Sequence, residues 1–144
     1  MLNKKVFLTK TDTTIGFVSQ DADALNRIKQ RPPHKHYIKA VDSLQTLQHF
    51  TRVPQPFKNH LRRASRTTFI MPSGDSYRVI KDRHHLGLIK RLKWAYTTSA
   101  NISGASYDER FAIEAADVVI RPLEGTQRPS TILKLGKHTR RRIR

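Results

Sequence analysis

A chain of 144 residues with 37% hydrophobic content has one domain's length and can bury a real core. It holds no cysteine, which excludes disulfides, thiolate metal sites and a cysteine nucleophile. With 28 Lys and Arg against 11 Asp and Glu the formal charge is +17, so the expected partner is a polyanion, nucleic acid first. No run of about 18 apolar residues is present, so no membrane span is expected. The lysines near the start lead into no long apolar segment, which argues against a signal peptide and for the cytoplasm.

Short apolar runs alternate with turn signals along the whole chain. Val6–Leu8 and Ile15–Val18 read as buried strands around a polar stretch, Lys10-Thr11-Asp12-Thr13-Thr14. Asp21 to Gln30 reads as a helix, with Ala22, Leu25 and Ile28 at three-residue spacing and Asp21 as its N-cap. Pro32-Pro33 ends it. A strand over His36–Val41 follows, then helices over Ser43–Phe50 and Phe57–Ala64. Thr67–Met71 and Tyr77–Ile80 read as strands around the turn Pro72-Ser73-Gly74. Leu86, Ile89 and Leu92 mark a helix, and Trp94–Thr97 a strand that runs into a loop of small polar residues, Thr98 to Gly104. Tyr107–Ala116 is helical, and Asp117–Ile120, Thr131–Leu135 and Arg142-Ile143 close the set. Helices and strands interleave too irregularly for a doubly wound sheet, so the expectation is a single mixed α/β domain.

The basic residues cluster. Arg62 and Arg63 belong with Arg66 to one group, Lys90, Arg91 and Lys93 belong to a second, and Arg140, Arg141 and Arg142 to a third in a basic tail over residues 137–144, following a domain over 1–136. These are the expected RNA contacts. With one Trp, four Tyr and six Phe, contact through the backbone of a folded RNA is expected rather than stacking of successive bases. His34-x-His36 and His84-His85 have no acidic or cysteine companions at metal-site spacing, so no metal site is expected.

Four polar segments carry the chemistry. Thr98-Ser99-Ala100-Asn101-Ile102-Ser103-Gly104 offers hydroxyls, an amide and close backbone to a polar ligand, although small polar runs also make ordinary turns. With Lys10–Gly16, Lys29-Gln30-Arg31-Pro32-Pro33-His34-Lys35 and Pro129-Ser130-Thr131-Ile132, the order and separations resemble those of the YrdC-like family. That family carries a Pro-Thr-(Asp/Glu)-Thr-Val-Tyr-Gly-like start, then Lys-x-Arg-Pro, Ser-Ala-Asn-x-Ser-Gly and Pro-Ser-Thr-(Ile/Val). The resemblance implies an open, twisted, mixed sheet with flanking helices and a basic concave cavity. It also implies synthesis of threonylcarbamoyl-adenylate from L-threonine, bicarbonate and ATP, with release of pyrophosphate, for threonylcarbamoyl-adenosine modification of transfer RNA.

Such chemistry needs positioning and charge neutralisation rather than a side-chain nucleophile. The resemblance assigns Lys29 and Arg31 the catalytic work on the phosphates, and ATP binding to Lys29, Arg31, Lys35, Thr68, Ser99 and Asn101. It assigns L-threonine to Thr11, Arg78 and Ser130, with Thr13 setting the first loop. Mg²⁺ is expected with ATP, held by phosphates and water. Transfer RNA, and proteins of its modification machinery, are expected partners.

The chain also departs from the family pattern. Lys10 stands for the usual Pro, Thr14-Ile15 for Val-Tyr, Ala64-Ser65-Arg66 for Pro-Gly-Pro, Lys35-His36-Tyr37 for Lys-Pro-Leu, and Ala40 for a frequent histidine. Only about ten residues precede the opening motif, where family members usually have a strand and helix. The changes touch the cavity rim, which keeps open the alternative of a non-catalytic, double-stranded RNA-binding member.

Overall fold

Side chains that alternate along short strands supply two faces to a nine-stranded sheet, one covered by four helices and the other covered only in part. The computed structural model describes residues 2–31, 36–124 and 128–144. The order is β1 (Phe7–Lys10), β2 (Ile15–Ser19), α1 (Ala22–Lys29), β3 (Ile38–Val41), α2 (Leu44–Phe50), α3 (Lys58–Arg63), β4 (Thr67–Ile70), β5 (Ser76–Val79), α4 (Arg83–Leu92), β6 (Trp94–Ser99), α5 (Glu109–Ala115), β7 (Val118–Val119), β8 (Thr131–Leu135) and β9 (Arg140–Arg142). Across the sheet the strands run β7-β1-β2-β6-β3-β5-β4-β8-β9. The pairs β1–β7, β3–β5 and β4–β8 are parallel and the others antiparallel, so the sheet is mixed.

Four of the five helices begin where a short polar side chain satisfies a free backbone N–H, whereas α3 follows Phe57 with no side-chain cap. Asp21, Ser43, Asp82 and Asp108 cap α1, α2, α4 and α5. On one face of the sheet, α1 and α5 bury Leu8, Phe17, Leu25 and Ala112. On the same face α2 and α3 bury Val41, Leu47, Leu61, Phe69 and Tyr77. The other face carries α4 alone, over Phe7, Val18, Ala40, Ile80 and Ala95. The rest of that face is open. Strand alternation puts Arg78 on the side of Ile80, Ile38 on that of Ala40, and Thr97 and Ser99 on that of Ala95.

Two expectations shift. The small polar segment is loop only from Ala100, because Ser99 still pairs with Gly16 and extends β6. Residues 137–144, set apart in sequence as a basic tail, are drawn into the sheet: Leu133, Lys134 and Leu135 pair with Arg142, Arg141 and Arg140. A row of arginines makes a charged edge strand, which discourages further strand addition. Among the described residues no helix is long and apolar enough to cross a membrane.

Candidate functional site

A cavity of about 350 Å³ opens on the α4 face, lined from both ends of the chain. Thr11, Thr13 and Thr14 come from the β1–β2 turn, and Thr97, Thr98 and Ser99 from β6. Ile38 and Arg78 come from central strands, Arg31 and His36 flank residues 32–35, and Pro129, Ser130 and Arg144 come from the C-terminal part. Lys35 lies outside the described residues.

The first wall is a threonine turn. Thr11 Oγ1 donates to the Thr14 carbonyl at 2.6 Å and accepts from the backbone N–H groups of Thr13 and Thr14 at 3.3 and 3.1 Å. Its hydroxyl therefore holds the turn as well as facing the cavity. Gly16 is required just behind it. A Cβ there would lie 2.7 Å from the Thr98 carbonyl oxygen and 3.1 Å from Thr11 Cγ2.

Lys29 is buried at 3% exposure. Its Nζ donates to the Ser99 carbonyl at 2.8 Å and to Asn101 Oδ1 at 3.1 Å, with a long 3.5 Å contact to Ser99 Oγ. Ser99 Oγ donates to Asn101 Oδ1, and Asn101 Nδ2 donates to the Ile102 and Ala105 carbonyls. Two motifs 70 residues apart thus form one unit, in which the ammonium organises the loop from behind. Burial, and secondarily the nearby Arg31 charge, lower the Lys29 pKa to about 8. Arg31 lines the cavity, donates to the His36 carbonyl at 3.0 Å and lies 4.6 Å from the Tyr37 ring centroid.

Arg78 is buried at 5% exposure and nearly fully engaged. Nη1 donates to Asp12 Oδ1 at 2.9 Å and Thr13 Oγ1 at 3.2 Å. Nε and Nη2 donate to Thr68 Oγ1 at 3.3 and 3.0 Å. Of five N–H donors, one on Nη2 has no such partner among the described residues. Thr68, expected at the nucleotide, sits behind the wall. With two guanidinium donors on its oxygen, its own proton goes to Ser130 Oγ at 2.8 Å. Ser130 Oγ also accepts from Arg144 Nη2 at 3.2 Å, so its proton is the one left to face the cavity. Arg144 Nε also donates to the Ser130 carbonyl at 2.9 Å.

Asp12 is the counter-ion of Arg78. His85 Nδ1 lies 3.8 Å from the same carboxylate oxygen. Burial raises the Asp12 pKa, but the neighbouring His85 and the Arg78 charge outweigh it, and the carboxyl stays below the usual range. Gly16, His85 and Arg144 flank or line the site without having been singled out in the sequence. The first is legible in the opening motif; the others depend on non-local contacts.

No three His, Asp or Glu side chains converge as a metal site among the described residues. The cavity wall carries Arg31, Arg78 and Arg144, with Asp12 already held by Arg78, so its donor set does not suit a resident cation.

The expected RNA contacts separate. Arg62 and Arg63 are exposed at the end of α3, and Arg140 reaches that helix through His60 Nδ1 at 2.8 Å, so β9 and α3 form one basic border. Lys90, Arg91 and Lys93 are exposed at the end of α4, on the opposite face.

No family model matches the chain. It is 32% identical over 96 residues to the uncharacterized protein MG259 of Mycoplasma genitalium, covering 67% of this chain and 20% of that protein. With the Mycoplasma pneumoniae homolog of that protein it shares 36% identity over 93 residues, 63% of this chain and 19% of the other. The chain therefore spans about a fifth of the length of the curated relatives it matches. Among solved structures it is similar to P. abyssi Sua5 complexed with L-threonine, with TM-score 0.79 and 19% identity over 97% of this chain and 50% of that one. It is also similar to E. coli YciO, with TM-score 0.74 and 18% identity over 97% of this chain and 82% of the other. The architecture of this chain is the YrdC/Sua5-like fold.

Proposed function

We propose that the chain is a threonylcarbamoyl-AMP synthase-like protein acting on L-threonine, bicarbonate and ATP, for threonylcarbamoyl-adenosine modification of transfer RNA. The observation that carries this reading is the convergence of four matched sequence segments on one arginine-lined cavity. The amine of threonine and bicarbonate give a carbamate and water. A carbamate oxygen attacks the α-phosphorus of ATP, and pyrophosphate leaves. Arg31 takes phosphate oxygens in its fork, with the field of Lys29 behind the Ser99–Asn101 loop. The free Arg78 N–H and the Ser130 hydroxyl receive the threonine carboxylate. Magnesium arrives as Mg-ATP, held by phosphates and water. The likeness to a Sua5 structure that holds L-threonine supports the substrate class.

A second reading has its own observation. The donors of Arg78 are largely taken by Asp12, Thr13 and Thr68, and those of Lys29 by the loop. That favours a non-catalytic RNA-binding member whose cavity is closed on itself. Pyrophosphate release from ATP, measured with and without threonine and bicarbonate, decides between them. Release that requires both co-substrates supports the synthase; none, with RNA binding retained, supports the second reading.

A further inference from the structure

The sheet face opposite the cavity carries an aromatic row that the proposed chemistry does not use. Tyr37, Lys39, Tyr77, Trp94 and Tyr96 share that face with Val41 and Val79 by strand alternation, and Phe50 at the end of α2 joins them. Ring centroids are 6.3 Å apart for Tyr37 and Tyr96, 5.2 Å for Tyr96 and Trp94, 5.6 Å for Trp94 and Phe50, and 6.5 Å for Phe50 and Tyr77. The row lies in the seam between the α1/α5 core and the α2/α3 core: Tyr96 packs on the first and Trp94 on the second.

One cation is set into it. Lys39 Nζ lies 4.0 Å from the Phe50 centroid, 4.7 Å from that of Trp94 and 5.4 Å from that of Tyr96. Phe50 is 38% exposed and Trp94, Tyr96 and Lys39 are half-buried, whereas Tyr37 and Tyr77 are buried and support the row from below, so the rings open to a base are Phe50, Trp94 and Tyr96. An ordinary core buries its rings and leaves its cations outside. Here an ammonium is held against three rings at a half-open surface, and burial lowers its pKa despite Asp75 nearby.

We propose that this row is a second nucleic-acid site, for two or three unpaired nucleotides of an RNA. Aromatic faces take bases of any sequence, and the Lys39 ammonium among them offsets a neighbouring phosphate. The net charge of +17 selects a polyanion, and folded RNA is the polyanion that displays unstacked bases in loops and ends. The sequence distributes its aromatics sparsely, but the fold gathers its one Trp and three of its four Tyr on this path. The inference does not depend on the reading of the cavity, which lies on the other face.

Trp94 is the chain's one tryptophan, so its fluorescence reports this site directly. The full chain is titrated with a dye-labelled single-stranded ten-residue oligouridine and with an RNA duplex of equal length. Emission from Trp94 and dye anisotropy are followed together. The single strand is expected to quench Trp94 saturably, while the duplex binds the basic borders and leaves emission unchanged. Phe50→Ala and, independently, Lys39→Gln are each expected to weaken the single-strand titration about tenfold, the loss of one stacked or cation-assisted base, with ATP binding unchanged. The proposal is overturned by oligouridine binding without quenching, by no oligouridine binding, by equal quenching with the duplex, or by unchanged affinity in either variant once circular dichroism shows it folded. A Trp94 emission change that follows protein concentration without RNA also overturns it, and marks the row as a seat for a second copy.

Discussion

Arg78 and Asp12 meet at 2.9 Å with side chains only 6% and 2% exposed, joining a central strand to the turn that forms the cavity's first wall. Removing one member of such a pair leaves the other charge buried without compensation. Asp12→Ala is therefore expected to destabilise the fold by about 3–5 kcal/mol, measured by urea denaturation at pH 7. The Asp12 pKa is depressed, so its contribution is present above the unfolded carboxylate value of 3.8 and is lost as pH falls through the folded value. The stability gap between the native chain and Asp12→Asn should accordingly shrink below about pH 4. A gap independent of pH would remove Asp12 from the ion pair.

Gly16 and the Thr98 carbonyl leave no room for a methyl group at 2.7 Å. Gly16→Ala should displace β6 where it carries Ser99 and cost about 1–3 kcal/mol. Weaker ATP and threonine binding should accompany the lower Tm. Calorimetry of both ligands on the folded variant checks the link between this packing and the site.

With its pKa lowered to about 8, Lys29, held behind the Ser99–Asn101 loop, should respond to an anion in the cavity. The sign follows from a folded value below the unfolded 10.5: the buried charge costs stability below about pH 8, and the cost is relieved as pH rises toward 10.5. An anion in the cavity should raise the Lys29 pKa. ATP binding at pH 8 should then take up close to half a proton, from a lysine about half deprotonated, and almost none at pH 6.5. Calorimetry in two buffers of different ionisation enthalpy measures this. Uptake that persists in Lys29→Met would assign the proton elsewhere.

Much of this was legible in the chain, and what was not has a common cause. The Asp21 N-cap, the apolar spacing of α4 and the Pro-Ser-Gly turn after β4 act within a few residues, and local sequence carries such signals. Lys29, Ser99 and Asn101 stood out through motif resemblance, but that they bind one another depends on β6 lying beside β2. Arg78 and Asp12 are 66 residues apart, and nothing near either announces the other. A run of terminal arginines reads as a solvated arm until a sheet edge is available beside Leu133 and Leu135. Thr68 keeps its motif position but spends its hydroxyl on Arg78 and Ser130, a distinction that only hydrogen-bond accounting reveals.

Lys93 joins α4 to β6 with φ 74° and ψ −44°, a conformation that a residue with a Cβ seldom adopts. Lys93→Gly should relieve about 1 kcal/mol of strain and raise Tm by about 2–4 °C. If Lys93 also touches RNA, the same variant should lower the slope of log K against log salt by about 0.7–0.9. Higher stability with an unchanged slope would remove Lys93 from the RNA surface and keep the strain assignment.

Residues 137–144 separate an arm from a structural edge. An arm can be removed without thermal consequence, with the RNA salt slope falling by about two to four units for the lost cations. A β9 strand cannot. Its loss removes the Leu133–Leu135 ladder and the Ile143 N–H bond to Ile132, 2.8 Å, at about 0.5–1.5 kcal/mol per bond. Deletion of 137–144 is therefore expected to cost about 2 kcal/mol or more and to weaken ATP and threonine binding, since Arg144 leaves Ser130. Arg144→Ala alone keeps the ladder and removes the two guanidinium contacts. It should weaken ligand binding with Tm nearly unchanged, because Arg144 is exposed beyond those contacts. Thermal melts of both variants, with ATP calorimetry and transfer-RNA titrations at several salt concentrations, distinguish the cases. A deletion that melts like the full chain and binds ATP as well would return these residues to the role of an arm and leave the cavity without its C-terminal wall.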